Sequence, residues 1–329
     1  MTTGEISPVA VTCGDPAGIG PEIISGAWSA LKSEVPFFLI GDPGHVPKDT
    51  PTVMITAPRH ARAAMDDGLP ILAYAFRQPA VPGRPDPANA RPVVEVIERA
   101  VDLVQSGHAS AMCTAPIAKK ELVDHAAFAF PGHTEFLAHL SGADHPVMML
   151  ASDALKVVPT TIHIPLSEVS KTLTPELLER TLRITDAAMQ QDFGIANPRI
   201  AVAGVNPHAG EGGLLGREED AWIAPLMDRL RAEGFNLAGP QSADTMFHAA
   251  ARESYDVAVA MYHDQALIPI KTLAFDSGVN VTLGLPFPRT SPDHGTAFDI
   301  AGTGQANPGS MIAALRMAWD MARARATGS

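Results

Sequence analysis

Three histidines follow apolar, strand-like segments and give the first indication of chemistry. His163, His208 and His263 lie in the segments TIHIPL, NPHAGE and MYHDQ. Open parallel sheets bind ligands beyond the carboxyl ends of their strands, so three imidazoles placed there could meet around one metal ion. A lone histidine is more often a half-buried side chain with a local hydrogen-bond partner. Spacing alone leaves both interpretations open. If the imidazoles converge, they favour zinc or another first-row ion over an all-oxygen magnesium site.

A second set of residues could bind an anion. Lys271 ends the apolar run IPIK, and Arg289 follows the run GLPFP, with Asn280 and Thr282 shortly before it. A cation with amide and hydroxyl neighbours offers charge-assisted hydrogen bonds to a phosphate or carboxylate. The alternative is a pair of ordinary solvated basic side chains.

A helix start is predicted after Pro131-Gly132. His133 and Thr134 are its first residues, where free backbone N–H groups favour anions. A simple N-terminal cap is the alternative interpretation.

The elements that must position these residues are short apolar runs alternating with amphipathic segments. The apolar runs predict strands at residues 9–13, 37–40, 111–114, 147–150, 200–205, 257–261 and 279–283. Between them, Val93, Ile97 and Val101 recur at helical spacing, and Thr174-Pro175 begins another helix. The pattern predicts an α/β protein with helices on both faces of a parallel sheet.

Composition excludes several classes of protein. Among 329 residues, 46% are hydrophobic and 18% charged, which is typical of a globular chain rather than a disordered one. The net charge of −12 disfavours nucleic acid and anionic membranes as partners. Neither a basic leader nor a membrane-length apolar run is visible, so we expect a cytoplasmic protein. The glycine clusters lack the spacing of the common dinucleotide fingerprint and the P-loop, and no helical zinc-protease motif occurs.

The most specific motif lies near the carboxyl end. Residues 293–308 read DHGTAFDIAGTGQANP, which resembles the adenosine-binding loop of the isocitrate and isopropylmalate dehydrogenase group. Residues 14–22, GDPAGIGPE, resemble the amino-terminal GDGIGPE element of the same group with two residues inserted. Together with the segments TAPI, GHTEF, NPHAGE, SADT and YHDQ, these motifs make nearly the whole chain similar to the 4-hydroxythreonine-4-phosphate dehydrogenase family.

The resemblance implies a set of site residues. The family's metal ligands, shared between the chains of a homodimer, match His163, His208 and His263, with zinc, magnesium or cobalt as the ion. The substrate contacts match five positions: His133, Thr134, Lys271, Asn280 and Arg289. The adenosine loop places the cofactor, NAD with NADP as an alternative, against His294, Gly295, Thr296, Asp299 and Asn307. We expect His163 and His208 to come from one chain and His263 from the other.

The resemblance also implies a reaction. The family oxidises 4-phosphohydroxy-L-threonine at C3 to 2-amino-3-oxo-4-phosphooxybutanoate, which decarboxylates to 3-amino-2-oxopropyl phosphate in pyridoxine 5'-phosphate biosynthesis. A bound ion can lower the pKa of an oxygen ligand and polarise a ketone. The candidates for proton acceptor are Asp244, Asp264 and Lys271, and the sequence does not choose among them. The alternatives are a dehydrogenase of threonate or erythronate 4-phosphate and, from another class, a zinc hydrolase.

The expected architecture is isopropylmalate dehydrogenase-like, with two α/β/α domains and an active-site cleft between them. We expect residues 1–130 and 275–329 to form the domain with the cofactor loop. Residues 131–274 would then form the domain with the metal ligands and the dimer interface. Composition gives no independent indication of these boundaries.

Overall fold

The computed structural model describes residues 6–328. The chain divides into unit 1, Met1–Pro146 with Leu285–Ser329, and unit 2, Val147–Gly284. The sequence analysis predicted 131–274 for the second domain, so both predicted boundaries lie before those of unit 2. The helix that begins at His133 packs on another helix of unit 1 and therefore belongs to that unit.

Unit 1 is built on a sheet of parallel strands covered by helices. The strands are β1 (Val9–Thr12), β2 (Phe37–Gly41), β3 (Thr52–Ile55), β4 (Leu69–Ala73), β5 (Met112–Thr114) and β12 (Arg289–Pro292). Their order is β3-β4-β2-β1-β5-β12, and every pair is parallel. The α-helices are α1 (Gly20–Leu31), α2 (Ala61–Ala64), α3 (Ala90–Gln105), α4 (Lys119–Ala126), α5 (His133–Ser141) and α11 (Gly309–Thr327).

Unit 2 has a mixed sheet. Its strands are β6 (Val147–Ala151), β7 (Lys156–Thr161), β8 (Ile200–Ala203), β9 (Leu237–Gln241), β10 (Val257–Tyr262) and β11 (Val279–Leu283). The order is β11-β6-β7-β10-β8-β9, and β7, β10, β8 and β9 run parallel. The α-helices are α6 (Leu166–Thr172), α7 (Pro175–Gln191), α8 (Ala224–Ala232), α9 (Ala249–Arg252) and α10 (His263–Leu273).

The α/β class is confirmed, and each predicted strand is present. The purely parallel sheet is wrong for unit 2, because β6 pairs antiparallel with both β7 and β11. Only residues 152–155 join β6 to β7, and the Ser152 N–H donates to the Leu155 carbonyl at 2.9 Å. A connection this short permits a hairpin but not a parallel crossover. Strands β3, β4, β7, β9 and β12 were not predicted, and proline within β4, β7, β9 and β12 weakens the strand pattern there.

The two helices that the sequence predicts most clearly, α3 and α7, are present in the structure. In α3, Val93, Ile97 and Val101 are buried on one face. At the start of α7 the Thr174 hydroxyl accepts a hydrogen bond from the Leu177 N–H at 3.2 Å, which caps the helix. Among residues 6–328, no helix is both long and apolar enough to cross a membrane. The cytoplasmic location stays a prediction.

Candidate active site

The three histidines follow three neighbouring strands of unit 2. His163 lies just beyond β7, His263 is the first residue of α10 directly after β10, and His208 follows β8. Strand β10 pairs in parallel with β7 on one side and β8 on the other. Parallel pairing brings the three carboxyl ends to one edge, which is where α/β sheets bind ligands.

Two side chains fasten these strand ends together. The Thr161 hydroxyl donates to the Met261 carbonyl at 2.8 Å and joins the end of β7 to that of β10. Gln265 accepts a hydrogen bond from the Met261 N–H at 2.7 Å and donates to the Gly204 carbonyl at 2.8 Å. That second link joins β10 to the segment after β8. Side-chain hydrogen bonds therefore connect the backbone segments that carry the three histidines.

His163 and His263 lie side by side within one chain. Their ring centroids are 5.7 Å apart, and both rings line a cavity of about 400 Å³ together with Asp264. His263 Nδ1 is 2.7 Å from Asp264 Oδ1. A carboxylate at Nδ1 fixes the proton there and leaves Nε2 as the lone-pair nitrogen, the arrangement that metal-ligating histidines commonly have.

His208 lies on a loop of unusual backbone conformation. Within the segment Pro207–Gly213, residues 208–212 all have φ between 45° and 80°, in the left-handed region. This segment packs on the short helical turn Ala243–Thr245 that carries Asp244. The pKa of Asp244 is lowered because it accepts a hydrogen bond from the Ser242 hydroxyl, with a further contribution from His208.

The described residues of one chain do not bring all the predicted metal ligands together. No group of three or more histidine, cysteine or acidic side chains converges as a metal site within residues 6–328. We expected His163 and His208 from the same chain. Which chain supplies each ligand stays a prediction, and within one chain His163 lies beside His263, because β7 and β10 are adjacent strands.

A buried cation marks the predicted anion site of unit 1. Arg289 is 3% exposed, and its guanidinium donates to the Thr114 hydroxyl at 2.6 Å. Burial lowers the pKa of Arg289 to about 10, which still leaves it charged at neutral pH. His133 is close enough that burial and then the charge of Arg289 hold the imidazole pKa well below its usual value. His133 Nε2 is enclosed without a hydrogen-bond partner, and the charge of Arg289 acts on this imidazole.

The remaining predicted substrate contacts are divided between the units. Thr134 is the second residue of α5 in unit 1, after His133. Lys271 lies in the last turn of α10 in unit 2, with its Nζ 5.5 Å from the centre of the Phe275 ring. Asn280 lies in β11, and its Oδ1 is buried without a hydrogen-bond partner.

The predicted cofactor loop packs on the amino-terminal glycine-rich motif within unit 1. The Ile19 N–H donates to the Thr296 carbonyl at 3.0 Å. The Glu22 carboxylate accepts hydrogen bonds from the N–H groups of Gly302 and Gly304. The two motifs at opposite ends of the sequence therefore form one structural element.

The predicted cofactor residues themselves are mostly accessible. His294, Gly295 and Asp299 are exposed, and Thr296 is half-buried. Asn307 Oδ1 accepts from the Gly309 N–H at 2.9 Å and steadies the start of α11.

Several residues that hold the site were not predicted. They are Glu22, Thr161, Glu219 and Gln265, and each acts on backbone groups of a segment that carries predicted ligands. Glu22 and Gln265 lie inside the quoted motifs, which was the available signal. Thr161 also lies inside a quoted segment, TIHIPL, although its partner is 100 residues away, whereas Glu219 carries no signal without the fold, because its partner lies next to an irregular loop.

The chain was compared with known proteins. Residues 33–318 match the family described as pyridoxal phosphate biosynthetic protein PdxA. A 4-hydroxythreonine-4-phosphate dehydrogenase of Roseobacter denitrificans is 61% identical over 317 residues, covering 96% of this chain and 97% of that protein. One of a Ruegeria species is 58% identical over 323 residues, covering 98% and 99%. These names favour the dehydrogenase over the hydrolase alternative.

The structural comparison agrees. The crystal structure of a 4-hydroxythreonine-4-phosphate dehydrogenase from Klebsiella pneumoniae superposes with a TM-score of 0.86 at 38% identity, covering 97% of this chain and 98% of that one. The resemblance predicted from the sequence is confirmed along nearly the whole length. The chain therefore belongs to the pyridoxal phosphate biosynthetic protein PdxA family, whose similar curated members are dehydrogenases.

Proposed function

We propose that this chain oxidises 4-phosphohydroxy-L-threonine at C3 with NAD, at a divalent metal site held by His163, His208 and His263 of two subunits. The product, 2-amino-3-oxo-4-phosphooxybutanoate, is a β-keto acid and loses carbon dioxide to give 3-amino-2-oxopropyl phosphate. The observation that carries the proposal is the pairing of His163 and His263, 5.7 Å apart, at neighbouring strand ends.

The donor set of unit 2 fits a first-row divalent ion. Two imidazoles share one cavity, and Asp264 orients the His263 ring so that Nε2 is its lone-pair nitrogen. A bound ion supplies Lewis acidity toward the hydroxyl and the ketone that replaces it, and a nicotinamide cofactor supplies the two-electron acceptor. Thr161 and Gln265 keep the ligands in place by linking the strand ends.

Arg289, His133 and Thr134 are proposed to bind the phosphate. A buried guanidinium offers charge-assisted hydrogen bonds, and a neutral His133 donates or accepts through the enclosed Nε2. Lys271 and Asn280 are proposed as further contacts of the substrate. Asp264 and Asp244 already have partners in His263 and Ser242, which suits orienting roles. The proton acceptor among Asp244, Asp264 and Lys271 stays a prediction.

The ligand count supports a site shared between two subunits. Two adjacent imidazoles are one fewer than the three protein ligands usual at a catalytic zinc ion. Three exposed apolar side chains lie on the segments that follow these strands: Leu166, which lines the histidine cavity, is 74% exposed, Leu214 81% and Ile268 63%. A two-fold dimer would cover such a surface and bring His208 of the partner subunit to the paired His163 and His263. The division expected from the sequence, with His163 and His208 from one chain and His263 from the other, is the alternative that the mixing experiment below distinguishes.

The function is tested with metal-free protein restored with zinc, magnesium or cobalt. NADH formation should require the metal and should show the highest specificity constant with 4-phosphohydroxy-L-threonine. Threonate and erythronate 4-phosphates serve as competing substrates in the same assay. A preference for either sugar-acid phosphate, or full activity in the metal-free protein, would contradict the proposal.

The ligand division predicts which inactive subunits complement each other. Mixing His163→Ala with His208→Ala subunits gives hybrids in which one site carries both changes and the other is intact. About one quarter of parental activity should return, since half of the dimers are hybrids and half of their sites are intact. Mixing His163→Ala with His263→Ala should restore none. Native mass spectrometry confirms the hybrids, and recovery in the second mixture would overturn the division.

Asp299 is predicted to favour NAD over NADP. Its exposed carboxylate can accept hydrogen bonds from the adenosine ribose and repels a 2′-phosphate. Asp299→Asn should therefore lower the ratio of the two specificity constants by about tenfold, the worth of one charged hydrogen bond. Asp320→Asn, an equal charge change at an exposed position of α11, is the control. An unchanged ratio in Asp299→Asn removes the residue from cofactor selection.

His133 makes stability depend on pH. Because its folded-state pKa is depressed, the unfolded chain binds the extra proton first, and stability falls as the pH drops below about 6.5. Between pH 7.5 and 5.5, His133→Gln should lose about 1.4 kcal/mol less unfolding free energy than the parent. His108→Gln, which changes an exposed histidine, should behave as the parent does. Equal pH dependence in all three proteins would show that His133 titrates normally.

A further inference from the structure

The loop that presents His208 is held by a buried acidic side chain outside the described chemistry. Glu219 is 2% exposed and lies in the π-helical turn Glu219–Ile223. Its Oε1 accepts from the Asn206 N–H at 2.8 Å, and its Oε2 accepts from the Asn206 side-chain amide at 2.9 Å. Both carboxylate oxygens are thus committed to the residue two positions before His208.

The backbone after Asn206 is in a conformation that needs such support. His208, Ala209 and Glu211 have positive φ values of 51°, 51° and 45°, although none of them is glycine. Left-handed backbone at non-glycine residues is unfavourable and persists where the surroundings impose it. A buried carboxylate that fixes the start of the run is a physical source of that constraint.

Two glycines show how closely the loop is fitted around this contact. A Cβ added to Gly210 would lie 2.7 Å from Glu219 Oε2. One added to Gly216 would collide with the side-chain amide of Asn206. The loop therefore encloses the Asn206–Glu219 pair, and a side chain at either position would displace it.

A second link ties the same loop to the other histidines. Gly204, two residues before Asn206, receives the Gln265 side-chain hydrogen bond from the start of α10. A Cβ at Gly204 would lie 2.9 Å from Glu219 Oε1 and 2.8 Å from the Ala209 Cα. The Glu219 carboxylate thus packs between Gly204, directly after β8, and Gly210 in the loop.

We propose that Glu219 is a positioning residue, which holds the left-handed loop through Asn206 and thereby places the His208 imidazole for metal binding. The metal part of this inference rests on the proposed function. Partners of ligand-bearing groups typically change metal affinity by 10- to 100-fold when they are lost. In Glu219→Gln one acceptor oxygen becomes an NH₂ donor facing a donor of Asn206, so one of the two hydrogen bonds to Asn206 is lost while the side-chain size is kept.

The experiment uses the metal-free full chain with Co²⁺ as the probe, read by the visible absorption of the bound ion. Glu219→Gln should bind Co²⁺ about 10- to 100-fold more weakly than the parent. Hydrogen exchange of backbone amides 206–215 should be faster, without metal present. The control is Asp220→Asn, which makes the same charge change at the exposed neighbour, and it should leave both measurements within about twofold of the parent.

A pair of glycine variants tests the same contact from the loop side and covers the case in which Glu219→Gln does not fold. Gly210→Ala and Gly212→Ala both add a methyl group at left-handed backbone, with φ of 80° and 64°. Only the first meets Glu219, since the space around Gly212 is open. Gly210→Ala should therefore weaken Co²⁺ binding and speed exchange much more than Gly212→Ala.

Each outcome decides the proposal. Faster exchange in Glu219→Gln with unchanged Co²⁺ affinity would overturn the positioning role, as would Gly210→Ala and Gly212→Ala variants that match each other. His208→Ala separates this inference from the proposed function. If His208→Ala keeps the Co²⁺ affinity and spectrum of the parent, the metal role of His208 is wrong, and the exchange measurement alone then decides whether Glu219 holds the loop.

Discussion

The parallel hydrogen-bond ladder that joins β10 to β7 and β8 is the constraint on which the candidate site depends. It aligns the carboxyl ends of three strands, so that segments from residues 163, 208 and 263 leave the sheet at one edge. Backbone pairing holds the ends of neighbouring strands about one strand spacing apart. The hydrogen bonds of Thr161 and Gln265 connect these ends further. The positions of the three histidine-bearing segments therefore depend on how the strands of the sheet are paired.

Each unit buries a charged side chain, and the two units compensate the buried charge differently. In unit 1 the cation Arg289 is buried beside a histidine that stays neutral, which favours an anionic ligand at that point. In unit 2 the buried carboxylate of Glu219 is satisfied by amide donors within the protein. In unit 1 the Nε2 of His133 has no hydrogen-bond partner, whereas in unit 2 both oxygens of Glu219 are hydrogen-bonded to Asn206. A buried charge can therefore stabilise a loop when its hydrogen-bond partners lie within that loop, as Asn206 does for Glu219.

Family membership and local geometry support each other at different levels. The similarity extends along nearly the whole chain and establishes the family. The geometry then separates roles among residues that the motifs treat alike. His263 and Asp264 are neighbours in one motif, and the Asp264 carboxylate is hydrogen-bonded to Nδ1 of the His263 ring at 2.7 Å. The same motif contributes Gln265, whose contacts are entirely with backbone groups.

The sequence by itself determined the α/β class, seven strands, the capped start of α7 and the family. Each rests on a local pattern or a contiguous motif, such as Thr174 before α7 or residues 293–308. Tertiary structure alone decided that β6 runs antiparallel, that His163 lies beside His263, and that Glu219 is hydrogen-bonded to Asn206 in the loop before His208. Strand order and loop packing depend on contacts between residues far apart in sequence, and local hydrophobic patterns carry no information about them.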